Sequence, residues 1–221
     1  MDIPIVLKHQ DFVLVDKPYG LSFHRENDQP GLAQFVNKKI GAVWPVHRLD
    51  KMTSGLVLFA TSAEAAARFQ ILFKEHKIAK FYLALAYGKP KKKQGEVKGD
   101  MCKTRSGSWK LTFSQNNPAR TRFYSKALGD GLRAYLLRPY SGRTHQLRVA
   151  MKSLGVPILG DERYNGADAE RGYLDAFGLR FDWQGERIEY CRFPLQGQQF
   201  LDAQEQLSDW LEPWQQPFPD A

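Results

Sequence analysis

The stretch richest in chemistry is His47-Arg48-Leu49-Asp50-Lys51-Met52-Thr53-Ser54-Gly55, followed at once by the apolar run Leu56-Val57-Leu58-Phe59-Ala60. One carboxylate, Asp50, stands between two cations, Arg48 and Lys51, ahead of small hydroxyl residues and a glycine. The apolar run from Gly55 to Ala60 predicts a buried strand, which places Asp50 on a loop at the lip of a sheet. A carboxylate presented there among cations is suited to act as a nucleophile or a base. By itself the pattern also fits an aspartate that caps a turn or pairs with Arg48, the commoner role for such a residue. Other chemical patterns fail. Gly129-Asp130-Gly131-Leu132-Arg133-Ala134 has the spacing of a dinucleotide site but runs into a strand-like segment, not a helix. Gly88-Lys89-Pro90-Lys91-Lys92-Lys93 lacks the second glycine and the Ser/Thr of a phosphate loop. The five histidines never fall at H-x-x-x-H spacing and no G-x-S-x-G occurs, which argues against zinc and serine hydrolases. Cys102 and Cys191 form no C-x-x-C pair. No metal site or disulfide scaffold is expected, and a reducing cytoplasm fits.

The elements that must position Asp50 read as a mixture of hairpins and helices. Ile5–Leu7 and Phe12–Asp16 are expected as strands, Gly31–Ile40 as a helix and Gly55–Ala60 as a buried strand. Thr61-Ser62-Ala63-Glu64 matches a capping box that opens a helix to about Glu75. Lys80–Tyr87 reads as a strand, and the basic stretch Lys89–Gly107 as a loop or hairpin excursion. Arg120–Leu128 and Leu132–Arg138 form a predicted hairpin through Gly129-Asp130-Gly131. Thr144–Leu154 is a predicted helix with Leu147, Ala150, Met151 and Leu154 on one face and Arg148 and Lys152 on another. A further hairpin, Leu179–Trp183 with Arg187–Tyr190, precedes an amphipathic helix at Phe200–Leu211 and an irregular tail at Pro213–Ala221. This is the pattern of an α+β fold: a mostly antiparallel, mixed sheet with flanking helices, in a single domain over residues 1–221.

Charge narrows the partners. The 221 residues carry 32 Lys+Arg and 24 Asp+Glu, a net charge of +8. Five acids and no cation lie in 193–221, leaving +13 on residues 1–192, and Gly88–Lys110 alone carries +6. A basic field of this size suits a polyanion, most often nucleic acid, though a solvated face is its plain alternative. With 43% hydrophobic residues the chain is not built for disorder. No apolar run is long enough to span a bilayer, and Met1-Asp2-Ile3-Pro4 does not open a secretory signal.

The run His47-Arg48-Leu49-Asp50-x-x-Thr53-Ser54-Gly55-Leu56-x-Leu58-Phe59-Ala60 resembles the catalytic motif of the RluA-type pseudouridine synthases. A chance match of its first seven fixed residues is on the order of one in a billion per start position. Lys17-Pro18-x-Gly20 with His24 is similar to that family's first motif, and Lys80-x-Tyr82-x-Ala84 to the motif carrying its active-site tyrosine. Gly142-Arg143-Thr144-His145-Gln146-Leu147-Arg148-Val149, with Leu154-Gly155-x-Pro157-Ile158-x-Gly160-Asp161 and Tyr164, resembles its third motif. The resemblance covers roughly residues 5–195.

The resemblance implies an enzyme that isomerises uridine in structured RNA, transfer or ribosomal, to pseudouridine without cofactor or metal. It implies the pseudouridine synthase fold with a central catalytic cleft. Asp50 matches the nucleophile, Tyr82 the tyrosine packed against the target base, and Arg143 the basic residue paired with the aspartate. The base must leave its stack to react, and Arg48, Lys80, Arg138, Arg148 and the Lys89–Lys93 run are candidate RNA contacts. His145 is a candidate to cap, pack or support the site. The chain starts on the first strand without the N-terminal RNA-binding domain that some relatives carry, and a monomer is expected. Ala150, Val156 and Asp175 stand where the family often has histidine, which bears on RNA contacts or packing. Two other readings compete. A binding module on this fold would not need Asp50, Tyr82 and Arg143 together. A glycoside or nucleoside hydrolase needs two facing carboxylates, and Asp161 is the only other carboxylate in a motif.

Overall fold

The aromatic and β-branched residues of Phe12–Asp16 and the apolar run Gly55–Ala60 become the two strands on which the N-terminal part is built. The structure is a computed structural model in which residues 1–218 are described. It divides into two units, Met1–Ile78 and Ala79–Ala221. In the first unit the chain forms β1 (Ile5–Lys8), β2 (Phe12–Lys17), α1 (Leu32–Ile40), β3 (Trp44–Pro45), β4 (Ser54–Ala60) and α2 (Ala63–Lys74). Strand β2 lies antiparallel between β1 and β4, with Val15 opposite Val57 and Lys17 opposite Gly55. Every residue of β2 and β4 is buried. The Phe12 ring meets Phe69 of α2 edge-on at 5.7 Å, and Phe23 stacks on Phe59 at 5.9 Å. Each such buried aromatic contributes on the order of 1.5–3 kcal/mol.

Both helices of this unit start where local chemistry dictates. Gly31 precedes α1, and its amide donates to Gln34 Oε1 at 3.0 Å. A Cβ at Gly31 would lie 2.5 Å from the His24 carbonyl, so only glycine permits this close approach. The capping box expected at Thr61 is shifted by one residue. The Thr61 amide still donates to Asp11 O at 3.0 Å, and its hydroxyl to Gln10 O at 2.6 Å, so Thr61 belongs to the strand end. Ser62 is the N-cap, its Oγ accepting from the Ala65 amide at 3.1 Å, and Glu64 pairs with Arg68 at 2.7 Å instead of reaching back.

The second unit contains β5 (Ala79–Tyr87), β6 (Gln94–Gly99), β7 (Met101–Lys103), β8 (Trp109–Leu111), β9 (Ala119–Gly129), β10 (Leu132–Pro139), α3 (Gln146–Ser153), β11 (Leu174–Trp183), β12 (Glu186–Cys191) and α4 (Gln198–Ala203). Its strands run in the order β12-β11-β5-β10-β9-β6, each antiparallel to its neighbour. Strands β7 and β8 form a separate hairpin. The expected Gly129-Asp130-Gly131 turn joins β9 to β10, with Asp130 at φ +48° and Gly131 at φ +78°, the left-handed pair a tight hairpin needs. The architecture is the α+β fold that the sequence implies.

Three elements differ from expectation. The basic excursion contains β6, which extends the sheet beside β9; its exposed Gln94, Glu96 and Lys98 hide the strand from a pattern search, as charged edge strands do. Helix α3 starts at Gln146, not Thr144, because His145 takes φ +57°. The amphipathic run Phe200–Leu211 divides into α4 and a 3-10 segment, Glu205–Trp210. The tail holds a 3-10 turn at Pro213–Gln215, and Trp214 and Phe218 pack on Phe81 with ring centroids 6.3 and 6.1 Å away. Positions 219–221 lie outside the described residues. The core of this unit gathers Phe81, Leu83 and Leu85 of β5, Leu136 of β10, and Phe200, Leu207 and Trp210 of the C-terminal segment. Among the described residues no helix is long and apolar enough to cross a membrane.

The shifted cap makes a simple prediction. Ser62→Ala will lower the free energy of urea unfolding by about 1 kcal/mol, and Thr61→Ala by less. Equal losses would place the cap at neither residue alone.

Candidate active site

In the first unit Asp50 lies on the loop between β3 and β4, half-buried between buried Leu49 and exposed Lys51. Its carbonyl accepts from the Thr53 amide at 3.0 Å, closing the turn into β4. The next carbonyl, Lys51 O, accepts from the Gly20 amide at 3.0 Å and from Lys17 Nζ at 3.2 Å. Lys17 is fully buried at the end of β2, and its ammonium also donates to Leu21 O at 2.7 Å and Pro18 O at 3.0 Å. Three donors thus meet three carbonyl oxygens, which makes this burial tolerable. The Lys17-Pro18-x-Gly20 motif therefore clamps the Asp50 loop from below. His47, at the start of the aspartate motif, accepts from the Leu58 amide through Nε2 at 3.0 Å and anchors the loop to β4. Outside, Lys51 pairs with Glu26 at 2.6 Å, while Arg48 is exposed.

In the second unit β5 sets the geometry. Phe81, Leu83 and Leu85 enter the core, so Lys80, Tyr82 and Ala84 occupy the opposite face. Tyr82 is 7% exposed, flanked by Leu137 of β10 and Ala176 of β11. Lys80 is half-buried, and loss of hydration pushes its pKa below the ordinary lysine value. A Cβ built on Gly142 would lie 3.9 Å from Lys80 Nζ, so the tyrosine motif and the Gly142-Arg143-Thr144 turn are adjacent. That turn is organised by Gln146, a residue the sequence singled out only as part of a motif. Buried at 5% exposure, its Oε1 accepts from the Ser141 hydroxyl at 2.8 Å and the Arg143 amide at 3.0 Å. Its Nε2 donates to Arg120 O at 3.0 Å and Thr121 Oγ1 at 2.9 Å. Four bonds from one amide hold the Arg143 backbone to β9. The Arg143 guanidinium is exposed and donates to Asn117 Oδ1. His145, in its left-handed conformation, lies 2.9 Å from the Tyr164 hydroxyl through Nδ1.

The expected cations separate. Lys80 and Arg143 lie on adjoining segments of the second unit, and Arg48 accompanies Asp50 in the first. Arg138 sits on the core side of its strand, its guanidinium 5.5 Å from the centre of the Phe81 ring and 4.9 Å from that of Tyr140. Arg148 is interior. Helix α3 is covered on more than one side and all of Gln146–Met151 is buried, while Lys152, the other cation of that face, is exposed. In the Lys89–Lys93 run all four lysines, Lys89, Lys91, Lys92 and Lys93, are exposed, and Pro90 is buried.

Residues 11–153 match the model of the family described as RNA pseudouridylate synthase, and the chain belongs to that family. Its members isomerise uridine in RNA, and this chain is an RNA pseudouridine synthase. An uncharacterized RNA pseudouridine synthase of Haemophilus influenzae is 50% identical over 202 residues, covering 90% of each chain. The dual-specificity RNA pseudouridine synthase RluA of Pasteurella multocida is 37% identical over 169 residues, 73% of this chain and 77% of that one. Among solved structures, human RNA pseudouridylate synthase domain containing 1 superposes with a TM-score of 0.76 at 26% identity, covering 99% of this chain and 97% of that one.

The positions that depart from the RluA-type pattern are packing positions. Ala150 and Val156 are 4% and 1% exposed. Asp175 is 1% exposed and faces Arg192 Nη1 at 3.5 Å. Asp161, the second motif carboxylate, is held by Arg148 in a two-pronged pair, Nε to Oδ2 and Nη2 to Oδ1, both 2.7 Å. With side-chain exposures of 8% and 1%, each ion depends on the other for its burial. The Arg148 guanidinium also lies 4.9 Å from the Tyr164 ring centre. Asp161→Ala should lower the unfolding free energy in urea by about 3–5 kcal/mol, because it strands a buried guanidinium. The double change Arg148→Met with Asp161→Leu should recover much of that loss. A double variant no more stable than Asp161→Ala would mean that the pair is not what holds this region.

Proposed function

We propose that Asp50 is the nucleophile, that Tyr82 packs against the target uracil, and that Arg143 is the basic partner of the aspartate. The substrate is a uridine in structured transfer or ribosomal RNA. In the reaction the bond from ribose C1′ to uracil N1 breaks, the base turns, and a bond from C1′ to C5 replaces it. The C5 proton leaves to solvent, and N1 gains a proton, so the product is an isomer. Arg48 and Lys80 draw the RNA phosphates and offset the few kcal/mol of unstacking the target base. Arg138 and Arg148 support the fold instead, one over aromatic rings and one with Asp161. The chain works as a monomer in the cytoplasm, which its free Cys102 and Cys191 suit.

The observation that carries this reading is the complete aspartate motif on a loop held by a buried, fully bonded lysine. Such anchoring gives a nucleophile a fixed position, which is what removes entropy from an attack. Tyr82 supports it as well: its ring is nearly buried on the face of β5 opposite Phe81, Leu83 and Leu85, beside Leu137 and Ala176.

Tritium release from RNA labelled at uracil C5 tests the assignment. The RNA should come from cells lacking this gene, so that the target uridine is unmodified. The native protein will release tritium, and Asp50→Ala will fall to about one thousandth of that rate or less. Comparable release by Asp50→Ala would remove the nucleophile assignment. RNA affinity should also fall as salt rises, with a slope of about −0.7 in log–log form for each single-strand phosphate contacted. Arg48→Gln and Lys80→Gln should each flatten that slope by about 0.7, and Arg138→Gln should leave it unchanged.

A further inference from the structure

Between β6 and β9 the chain leaves the main sheet of the second unit to form the β7–β8 hairpin, with Lys103 opposite Trp109 and Cys102 opposite Lys110. Residues 98–117 carry Lys98, Lys103, Arg105 and Lys110, all exposed, against the single acid Asp100. Asp100 is turned to internal use. Its carboxylate accepts from the amides of Asn116 at 3.0 Å and Asn117 at 2.8 Å, which lowers its pKa even against the cost of desolvation. Its amide donates to Ser114 O at 3.0 Å, and its carbonyl accepts from the Thr112 amide at 2.8 Å. The hydroxyls of Thr112 and Ser114 are themselves 2.8 Å apart. The backbone is therefore held on both sides of Phe113. Yet Phe113 has a relative exposure of 106%, the highest of any large apolar residue among those described.

A single exposed phenylalanine is ordinary on a protein surface. Three features set this one apart: its backbone is pinned, four cations lie on the same short segment, and the segment is tied to the active-site turn. Asn117 accepts from the Arg143 guanidinium. The Trp109 amide donates at 3.0 Å to the Tyr164 hydroxyl, which lies 2.9 Å from His145 Nδ1. A rigidly presented aromatic loses little further freedom on engaging a partner, and surrounding cations bring phosphates to it. That combination is what binds unpaired nucleotides, because every base has a face to stack and every nucleotide a phosphate.

We propose that Phe113 is a stacking platform for an unpaired base of the substrate RNA, with Lys103, Arg105 and Lys110 on the neighbouring phosphates. The arm 98–117 is thus a second RNA contact, joined to Arg143 through Asn117. It rests on RNA being the substrate, and it adds a residue that selects single-stranded over paired RNA. Because the ring supports no packing, Phe113→Ala leaves the fold intact.

The test compares native protein, Phe113→Ala and Phe113→Trp. Binding is read by fluorescence anisotropy with a labelled mixed-sequence single-stranded RNA and with a blunt duplex of the same length. Phe113→Ala should bind the single strand about 5- to 100-fold more weakly and the duplex within about twofold of native, while Phe113→Trp retains both affinities. On C5-tritiated RNA its KM should rise by a similar factor with kcat within about twofold. Native-like single-strand binding by Phe113→Ala would overturn the proposal and leave the ring to a protein partner or a second copy of the chain. Equal weakening on both RNAs, or a Trp variant as weak as the Ala variant, would overturn it too. Native protein that binds the single strand through Phe113 but releases no tritium would sink the synthase assignment alone.

Discussion

A polar group taken out of water must find all of its partners within reach, and that requirement fixes the Asp50 loop in the first unit and the Arg143 turn in the second. Lys17 carries three donors into the interior and meets three carbonyls, one of them Lys51 O beside Asp50. Gln146 does the same for the Arg143 turn, with two bonds accepted and two donated. Each unmade bond would cost on the order of 1–3 kcal/mol, several times the net gain of an ordinary exposed one. A loop tied in this way cannot drift by an ångström without breaking several bonds together. In the loops bearing Asp50 and Arg143, buried polar anchors add to the rigidity that packing supplies elsewhere.

Strand β5 adds the second constraint, because a strand shows its faces alternately. Phe81, Leu83 and Leu85 build the core of their unit while Lys80 and Tyr82 face away from it. A slip of one residue would exchange the two sets and put a lysine into the core. The core therefore enforces the register that presents Tyr82. The neighbouring hairpin contributes from the other side: Asp130 and Gly131 fix the turn and hence the register of β10 against β9, and β10 in turn pairs with β5 to set Leu137 beside Tyr82.

Much of this was legible in the residues. Apolar runs and glycine turns gave β2, β4, β5, β10 and the hairpins, because strands buried on both faces leave short continuous apolar runs and the turns between strands need glycine. The family, and with it the enzyme class, was legible in His47–Ala60. Long-range polar contacts were not. Nothing local marks Lys17 as a buried clamp or Gln146 as a hub, since the partners that tie them to other elements, Lys51 and Thr121, lie 34 and 25 residues away. For the same reason Arg148 read as a surface cation: its partner Asp161 is 13 residues on, and helical periodicity does not report what covers the second side of α3. The cap of α2 was misplaced by one residue because Thr61 and Ser62 have the same chemistry, and only the strand-end bonds of Thr61 decide between them. Strand β6 was hidden by its own polarity.

Charge shows the same separation between composition and use. The acid-rich segment after Arg192 is the one that covers the core through Phe200, Leu207 and Trp210. Lys126 ties it down, donating to Gln206 O at 2.6 Å and pairing with Asp209 at 2.9 Å. Within the second unit the acids thus cover the side of β5 that carries Phe81 and Leu83, away from Lys80 and Tyr82. On the proposed reading, an approaching polyanion is repelled from that covered side and attracted to the face with Lys80 and the arm with Lys103, Arg105 and Lys110. Screening over about 8–10 Å at physiological salt keeps the two fields from cancelling across the unit. A modest net charge of +8 can therefore act as a strong local one, and its distribution over the faces orients RNA where the total alone would not.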